Sequence, residues 1–442
     1  MNTLLLKAKL GSELNRIPYS LIPIIGKAYR RYQKDISLFE SLDTVEKQKW
    51  IFRRVHNIVE YAIHTIPFYR DFYNKNGFTL NQLKRYEDID NIPIITKEDL
   101  MRVPLEYRSG KTKNAFIANT GGSTGTPLSF YKTRLHKIKE MSYYHSAWSR
   151  LCFSKLDIRL QFVGHSSLDK IRYDLTRNRL VANIYIPMET LVDELSRVTQ
   201  SIPISFLQGY PSVLYEFASF LDNHSSAFSS SGLKGVIKGI FLNSEYPYPE
   251  YRDKIERVFG TKTIASYGHT EGCALAFDFG NQRYEIMQSY GFVESKQCGA
   301  ENHIISTSYD NYASPFIRYD TGDVIDSIEE DKGLILSFKM TDGGRSGQFI
   351  YDKKGSRISL TGLIFGRHHK LFNYCTQVQI AQTTPGCAIV YYVADENNLE
   401  GKKPEELFDS NDIEMDFVFE RINQPIRTKA GKVLLLVSPL DN

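Results

Sequence analysis

Apolar residues recur at helical spacing most clearly between Glu46 and Ile63. There Ile51, Val55, Ile58 and Ala62 are separated by Lys, Arg, Asn and Glu. The spacing predicts an amphipathic helix that Pro67 ends. A second helix is expected over Thr133–Ser149. Beyond it, strand-like apolar runs alternate with helical ones. The runs are Ile158–Val163, Ile204–Leu207 before a helix at 212–221, and Gly235–Leu242 before a helix at 249–258. That alternation argues for an α/β fold with layered sheets.

From about residue 285 the pattern changes. Arg283–Gln288, Tyr290–Glu294, His303–Thr307, Val324–Ile328 and Leu334–Lys339 are short and rich in β-branched or aromatic residues. They predict a β-barrel-like part or a further sheet. Asp342-Gly343-Gly344-Arg345-Ser346-Gly347 is the best boundary, because glycines absorb large dihedral changes. The expected division is a large N-terminal domain over residues 1–345 and a small, mobile α+β domain over residues 346–442. In the latter, strands are expected at Val378–Gln382, Ala388–Val393 and Val433–Ser438, with a helix near Asp412–Ile422.

Composition narrows the class. Hydrophobic residues make up 42% and charged residues 24%, ordinary for a globular protein. The net charge of +4 over 442 residues is too balanced to imply nucleic acid as a partner. The five cysteines, at 152, 273, 298, 375 and 387, form no C-x-x-C pair. Their scattered, odd number fits a reduced cytoplasmic setting. No apolar run reaches the length of a transmembrane helix. Residues 1–35 carry Lys7, Lys9, Arg16, Lys27, Arg30, Arg31 and Lys34 against Glu13 and Asp35. Together with Ile22-Pro23-Ile24-Ile25 they suit peripheral docking on an anionic membrane, or a basic arm packed on its own domain.

The richest chemistry lies in Asn119-Thr120-Gly121-Gly122-Ser123-Thr124-Gly125-Thr126-Pro127. Glycine lets the backbone approach a ligand closely, and successive N–H groups with Ser/Thr hydroxyls can ring an anion. Flanking strand-like segments, Asn114–Asn119 and Leu128–Thr133, make this a loop at the tip of a hairpin. No Gly-Lys-Ser/Thr follows, so it is not a Walker loop. Gly121-x-Ser123-x-Gly125 also fits a serine-hydrolase elbow formally, but that motif needs a strand, a turn and an immediate helix. A surface turn is the plain alternative.

Further segments decide between these readings. Ser266-Tyr267-Gly268-His269-Thr270-Glu271-Gly272, Arg318-Tyr319-Asp320-Thr321-Gly322-Asp323 and Pro425 to Gly431-Lys432 follow the loop in order. In that order the four segments resemble the motifs of the adenylate-forming (acyl-adenylate synthetase) superfamily. Val59-Glu60-Tyr61-Ala62 through Ile66-Pro67-Phe68-Tyr69-Arg70, Ile92–Leu100, Gln208-Gly209-Tyr210-Pro211-Ser212 and Asn243-Ser244-Glu245 resemble its phenylacetate–CoA ligase-like branch, which includes CapK-like proteins of capsular polysaccharide biosynthesis.

The resemblance implies ATP- and Mg²⁺-dependent activation of a small carboxylic acid, through an acyl-adenylate and with release of pyrophosphate. It implies that Thr120, Gly121, Gly122, Ser123, Thr124, Gly125 and Thr126 hold the β- and γ-phosphates. Glu271 would ligate the metal, a hard ion that prefers carboxylate oxygen. Thr270 would contact the α-phosphate, Tyr267-Gly268 would lie against adenine, and Asp323 would accept both ribose hydroxyls. Arg345 at the hinge would also reach the ribose, Glu245 would border the site, and Lys432 on the mobile domain would deliver positive charge to the reacting groups. Leu128 stands where many relatives carry a lysine, with Lys132 further on. Tyr143-Tyr144-His145-Ser146-Ala147-Trp148, Val163-Gly164-His165 and the strand before Tyr267 would wall the acyl pocket. The acceptor implied by ligases is CoA, met by Arg357, Arg367, Lys370, Arg427 or Lys429. CapK-like relatives leave room for an amine acceptor or for a non-catalytic role.

Overall fold

The computed structural model describes residues 2–23, 25–111, 113–120, 128–163, 170–184, 186–299, 301–341, 349–355, 357–364, 369–375, 377–394, 399, 401–410, 413–428 and 433–440. The chain divides into two compact units. One comprises residues 16–154 and 264–341, the other residues 1–15, 155–263 and 342–442.

In the unit of residues 16–154 and 264–341, the helix Thr44–Thr65 matches the predicted one. Asp43 caps it, accepting the Glu46 N–H at 2.9 Å, while Glu46 reaches back to the Asp43 N–H. Ile51, Val55, Ile58 and Ala62 form its buried face. Pro67 ends it and opens the next helix, Pro67–Lys75. The residues past 264 form a bulged antiparallel sheet. Its strands run Gly291–Cys298, Glu301–Ser308, Tyr319–Asp331, Leu334–Met340, Tyr284–Ile286, Leu275–Asp278 and Thr263–Gly268 in spatial order. A separate hairpin, Ala115–Asn119 with Ser129–Thr133, leads into the helix Arg134–Trp148. Arg318, buried with a positive φ, locks the N-terminal segments to this sheet. Its guanidinium donates to Glu294 and to the carbonyls of Asp90 and Ile92.

The other unit carries a mostly parallel sheet. Arg159–Val163 lies between Arg179–Asn183 and Phe206–Gly209, with Gly239–Asn243 beyond, all parallel, and Ile171–Asp174 is an antiparallel edge. The predicted helices appear as Pro211–Asn223 and Pro249–Phe259. Residues after 349 build a three-stranded sheet in which Gln377–Thr384 pairs with Cys387–Val393, and Asp416–Ile422 adds in parallel. The helix expected near Asp412–Ile422 is instead a strand over Asp416–Ile422: Phe417 and Phe419 alternate as strand residues do, and the partner that pairs with them in parallel, Cys387–Val393, is distant in the chain. The strand expected at Val433–Ser438 is reduced to the bridges Arg427↔Val433 and Ile380↔Leu436. This C-terminal sheet packs Ile350, Leu363, Val378, Val390 and Leu435 in one core with Tyr248 and Tyr251.

Candidate active site

The hairpin gives the glycine-rich loop its neck. Strand pairing ends at Asn119↔Ser129. Past it, the Thr120 N–H donates to the Leu128 carbonyl at 2.9 Å, and the Leu128 N–H donates to Thr120 Oγ1 at 2.9 Å. Gly121, Gly122, Ser123, Thr124, Gly125 and Thr126 lie outside the described residues, as do Arg345 and Lys432. Two antiparallel strands flank the loop, whereas a hydrolase elbow joins a strand directly to a helix.

The segment Tyr267–Gly272 closes the turn after Thr263–Gly268. Gly272 takes φ +69° and donates its N–H to the His269 carbonyl at 3.0 Å. Thr270 and Gly268 are exposed at the tip, while Glu271 is only 8% exposed. Glu271 Oε2 lies 3.5 Å from His269 Nδ1. Burial works against the charge of His269, but the Cys273 sulphur and Glu271 outweigh it and raise the imidazole well above its usual range.

Tyr267 and Asp323 meet directly. Tyr267 Oη donates to Asp323 Oδ2 at 2.7 Å. Burial, then the Asp323 charge, pushes the phenol well above its ordinary value. The backbone turn that aims Asp323 rests on Asp320, whose Oδ1 accepts the Gly322 N–H at 2.8 Å, and on Thr321, which donates to the Ile304 carbonyl. Gly322 takes φ +71°, a conformation that suits glycine.

Lys132 is the residue that the sequence motifs undervalue. Its strand alternates, with Phe130 and Lys132 both inward. Its Nζ donates to the Thr270 carbonyl at 2.7 Å and lies 3.8 Å from Glu140. Burial lowers the affinity of this amine for its proton, opposed by Glu140 and Glu271. His136 Nε2 also contacts Glu140, at 3.1 Å. An inward-pointing lysine on a half-buried strand was the available signal.

The expected pocket helix splits its faces. Tyr144 Oη donates to Ser266 Oγ at 3.3 Å, on the strand that leads to Tyr267, and burial pushes its phenol up to about 12. His145 turns instead to the N-terminal segment, where Tyr29 Oη lies 3.2 Å from its Nδ1. Val163 lies on a described strand, while Gly164 and His165 fall outside the described residues.

In the other unit, Glu245 bridges two backbone donors. Oε2 accepts the Ser212 N–H at 3.1 Å and Oε1 accepts the Val433 N–H at 2.9 Å. The Gly-Tyr-Pro-Ser and Asn-Ser-Glu segments thus grip the residue that directly follows Lys432 in the chain. Gln379 adds bonds to Ile426 and Leu434. Arg427, one of the cations considered for CoA, is committed instead to Glu216 at 2.7 Å and is largely buried. Lys370 is exposed, whereas Arg367 and Lys429 lie outside the described residues.

No family model matches the chain. Over 440 residues, 93% of this chain and 94% of the other, it is 25% identical to Protein CapK of Staphylococcus aureus. Among solved structures it is similar to 2-hydroxyisobutyryl-CoA ligase in the postadenylation state in complex with R3-HIB-AMP. The TM-score is 0.66 and the identity 17%, over 90% of this chain and 91% of that one. An open conformation of the same ligase in complex with 2-HIB-AMP and CoA gives a TM-score of 0.54 at 18% identity, over 90% and 93% of the two chains. The mixed α/β fold with its large multi-stranded sheet is therefore that of these acyl-CoA ligases, in keeping with the superfamily resemblance of the motifs.

Proposed function

We propose that the protein activates a carboxylic acid with ATP, forming an acyl-adenylate and pyrophosphate, and then transfers the acyl group to CoA. The single observation that carries this reading is the Tyr267–Asp323 hydrogen bond, which joins two separate nucleotide motifs in one wall. The carboxylate substrate is already ionised at neutral pH and needs no base. The task is electrostatic, because an anion must reach the α-phosphorus of a polyanion.

In this reading Asp323 accepts the ribose hydroxyls, with Tyr267 holding the carboxylate and packing toward adenine beside Gly268. Thr270 meets the α-phosphate, and Lys132 fixes the Thr270 carbonyl from behind. The hairpin loop, Thr120 to Thr126, holds the β- and γ-phosphates. Glu271 fits Mg²⁺, since one carboxylate beside substrate phosphates is a usual magnesium arrangement. When bound, the ion would neutralise phosphate charge. Lys432 and Arg345 belong to the proposed mobile domain, residues 346–442, and its hinge. Lys432 would approach the α-phosphate during adenylation.

The acyl carbon of the adenylate then accepts a nucleophile and AMP leaves. Likeness in fold to a CoA ligase supports a thiol as that nucleophile. An amine, in capsule or exopolysaccharide biosynthesis, is the second reading, supported by likeness to CapK along nearly the whole chain. Pyrophosphate exchange across a panel of acids tests the first half-reaction. Exchange with no acid would overturn it. Offering CoA and amines separately to the accumulated adenylate decides the acceptor, and AMP release with an amine alone would replace the thiol.

The N-terminal helix supports peripheral attachment to an anionic membrane from a cytoplasmic location. Leu6, Leu10 and Leu14 recur at one-turn spacing and are 63%, 52% and 48% exposed, beside Lys7 and Lys9. No helix among the described residues is long and apolar enough to cross a membrane. Co-sedimentation with phosphatidylserine vesicles should be lost in Leu6→Ser/Leu10→Ser/Leu14→Ser. Equal binding by that variant removes the helix from the contact.

A further inference from the structure

We propose a zinc-class metal site on the sheet of residues 291–331, formed by Cys298, His303 and Asp320 and supported by Glu301. It uses residues to which the adenylation chemistry gives no ligand role.

The strands create the cluster. Gly291–Cys298 and Glu301–Ser308 form a hairpin in which Cys298 faces Glu301 and Lys296 faces His303. Directly opposed residues share a face, as do residues two apart along a strand. Cys298, Glu301 and His303 therefore project together. On the neighbouring strand a bulge between His303 and Ile305 resets the register, and Ile305 then opposes Asp320. Asp320 thereby joins the same face. One ligating atom from each of Cys298, His303 and Asp320 lies within 4.8 Å of the others.

The donor chemistry is selective. Sulphur, imidazole nitrogen and carboxylate oxygen together suit Zn²⁺ or Co²⁺ better than a hard ion such as Mg²⁺. Three protein ligands leave a fourth position for water. His303 Nδ1 lies 3.0 Å from Asp320 Oδ2, so Nδ1 is the nitrogen aimed into the cluster. Its other nitrogen, Nε2, lies 3.8 Å from Glu301 Oε2. A carboxylate behind the distal nitrogen is how metal-binding histidines are commonly oriented. Lys296, the one cation on this face of the hairpin, is drawn off to Asp90 at 2.7 Å. Binding is balanced by proton release: Cys298 gives its thiol proton to solvent, and His303 ligates as the neutral ring with its proton on Nε2.

The site also touches the turn ahead of Asp323. Asp320 Oδ1 accepts the Gly322 N–H at 2.8 Å, so a metal held by this carboxylate stiffens that turn.

The experiment is a Co²⁺ titration of the full chain, read by absorbance. One equivalent should give a near-ultraviolet thiolate-to-cobalt band, and Zn²⁺ should bleach it. Cys298 is exposed, so Cys298→Ser should fold normally, lose the band and bind at least tenfold more weakly. His303→Gln should weaken binding at least tenfold, and Glu301→Gln about tenfold. Cys152→Ser, an exposed thiol elsewhere, should change neither band nor affinity. A band that survives Cys298→Ser, an affinity unaltered by His303→Gln, or the absence of saturable binding would each overturn the site.

Discussion

His136 packs its imidazole against Gly272 so closely that any Cβ at position 272 would overlap the ring. The glycine also needs its positive φ, +69°. Two separate constraints therefore fix one residue of the Tyr267–Gly272 turn. Gly272→Ala should lower stability and abolish pyrophosphate exchange, because the turn that presents Thr270 and Glu271 must move. Gly272→Ala/His136→Ala should recover part of both losses by removing the overlap. A residual cost of about 1 kcal/mol for the left-handed backbone should remain. Urea unfolding and exchange rates check this, and a Gly272→Ala protein with unaltered activity would show that the turn need not hold this shape.

The contact between Tyr267 and Asp323 makes a second expectation specific. Asp323→Ala should weaken ATP binding by about 2 kcal/mol, the scale of losing hydrogen bonds to a charged group. Tyr267→Phe removes the hydroxyl that orients the carboxylate but leaves the carboxylate itself, and should cost less. Calorimetry with a non-hydrolysable ATP analogue separates the two. Equal affinity in Asp323→Ala and the unmodified protein would remove the ribose role.

The sequence was a good guide where structure is local. The helix at Thr44–Thr65, the hairpin around the glycine-rich loop and the helices after Pro211 and Pro249 follow from periodicity, caps and proline. It failed at Asp416–Ile422, where Phe417 and Phe419 alternate as in a strand but the partner, Cys387–Val393, pairs in parallel across a long connection. It placed Lys132 beyond the expected lysine position and gave it no role. A motif read by spacing looks for a lysine beside the loop, whereas this one reaches Thr270 through the inward face of a strand. Arg318 reads as a motif residue, yet burial against Glu294 makes it a structural clasp. Such roles depend on which distant chain segments meet, and neighbouring residues do not encode that.

Acid should expose another buried arrangement. Asp310 receives Lys139 at 3.2 Å, Arg31 at 3.2 Å and Arg54 at 3.7 Å, from three different helices, and Arg54 is shared with Asp35. Burial raises the carboxyl, but Lys139, Arg31 and Arg54 outweigh it and hold Asp310 below its ordinary value of 3.8. A depressed carboxyl contributes stability above its unfolded value and loses it as pH falls through the folded one. Asp310→Asn should therefore cost about 3 kcal/mol at pH 7, where it leaves Lys139 buried without its counter-charge. The gap between the two proteins should shrink once pH drops below about 4, the carboxyl range. Urea midpoints at pH 7, 5 and 3.5 measure it. A gap that widens toward acid would contradict the charge balance.

The grip on Val433 gives the sharpest expectation for catalysis. Lys432→Ala should slow adenylate formation by on the order of 10²–10³, as for loss of one electrostatic stabiliser, with little change in ATP affinity. Lys429→Ala should have a small effect, and the reverse ranking would shift the motif by three residues. Glu245 touches the same segment at the Val433 amide, and a second segment at the Ser212 amide. Glu245→Ala leaves both donors without an acceptor and frees the chain beside Lys432. It should reduce the adenylation rate while leaving the acid specificity untouched. Glu245→Gln retains one acceptor oxygen and should recover part of the rate. Single-turnover measurements of acyl-AMP formation order these variants. If Glu245→Ala instead weakens ATP binding as strongly as Asp323→Ala, then Glu245 contacts the nucleotide itself and does not act through Val433.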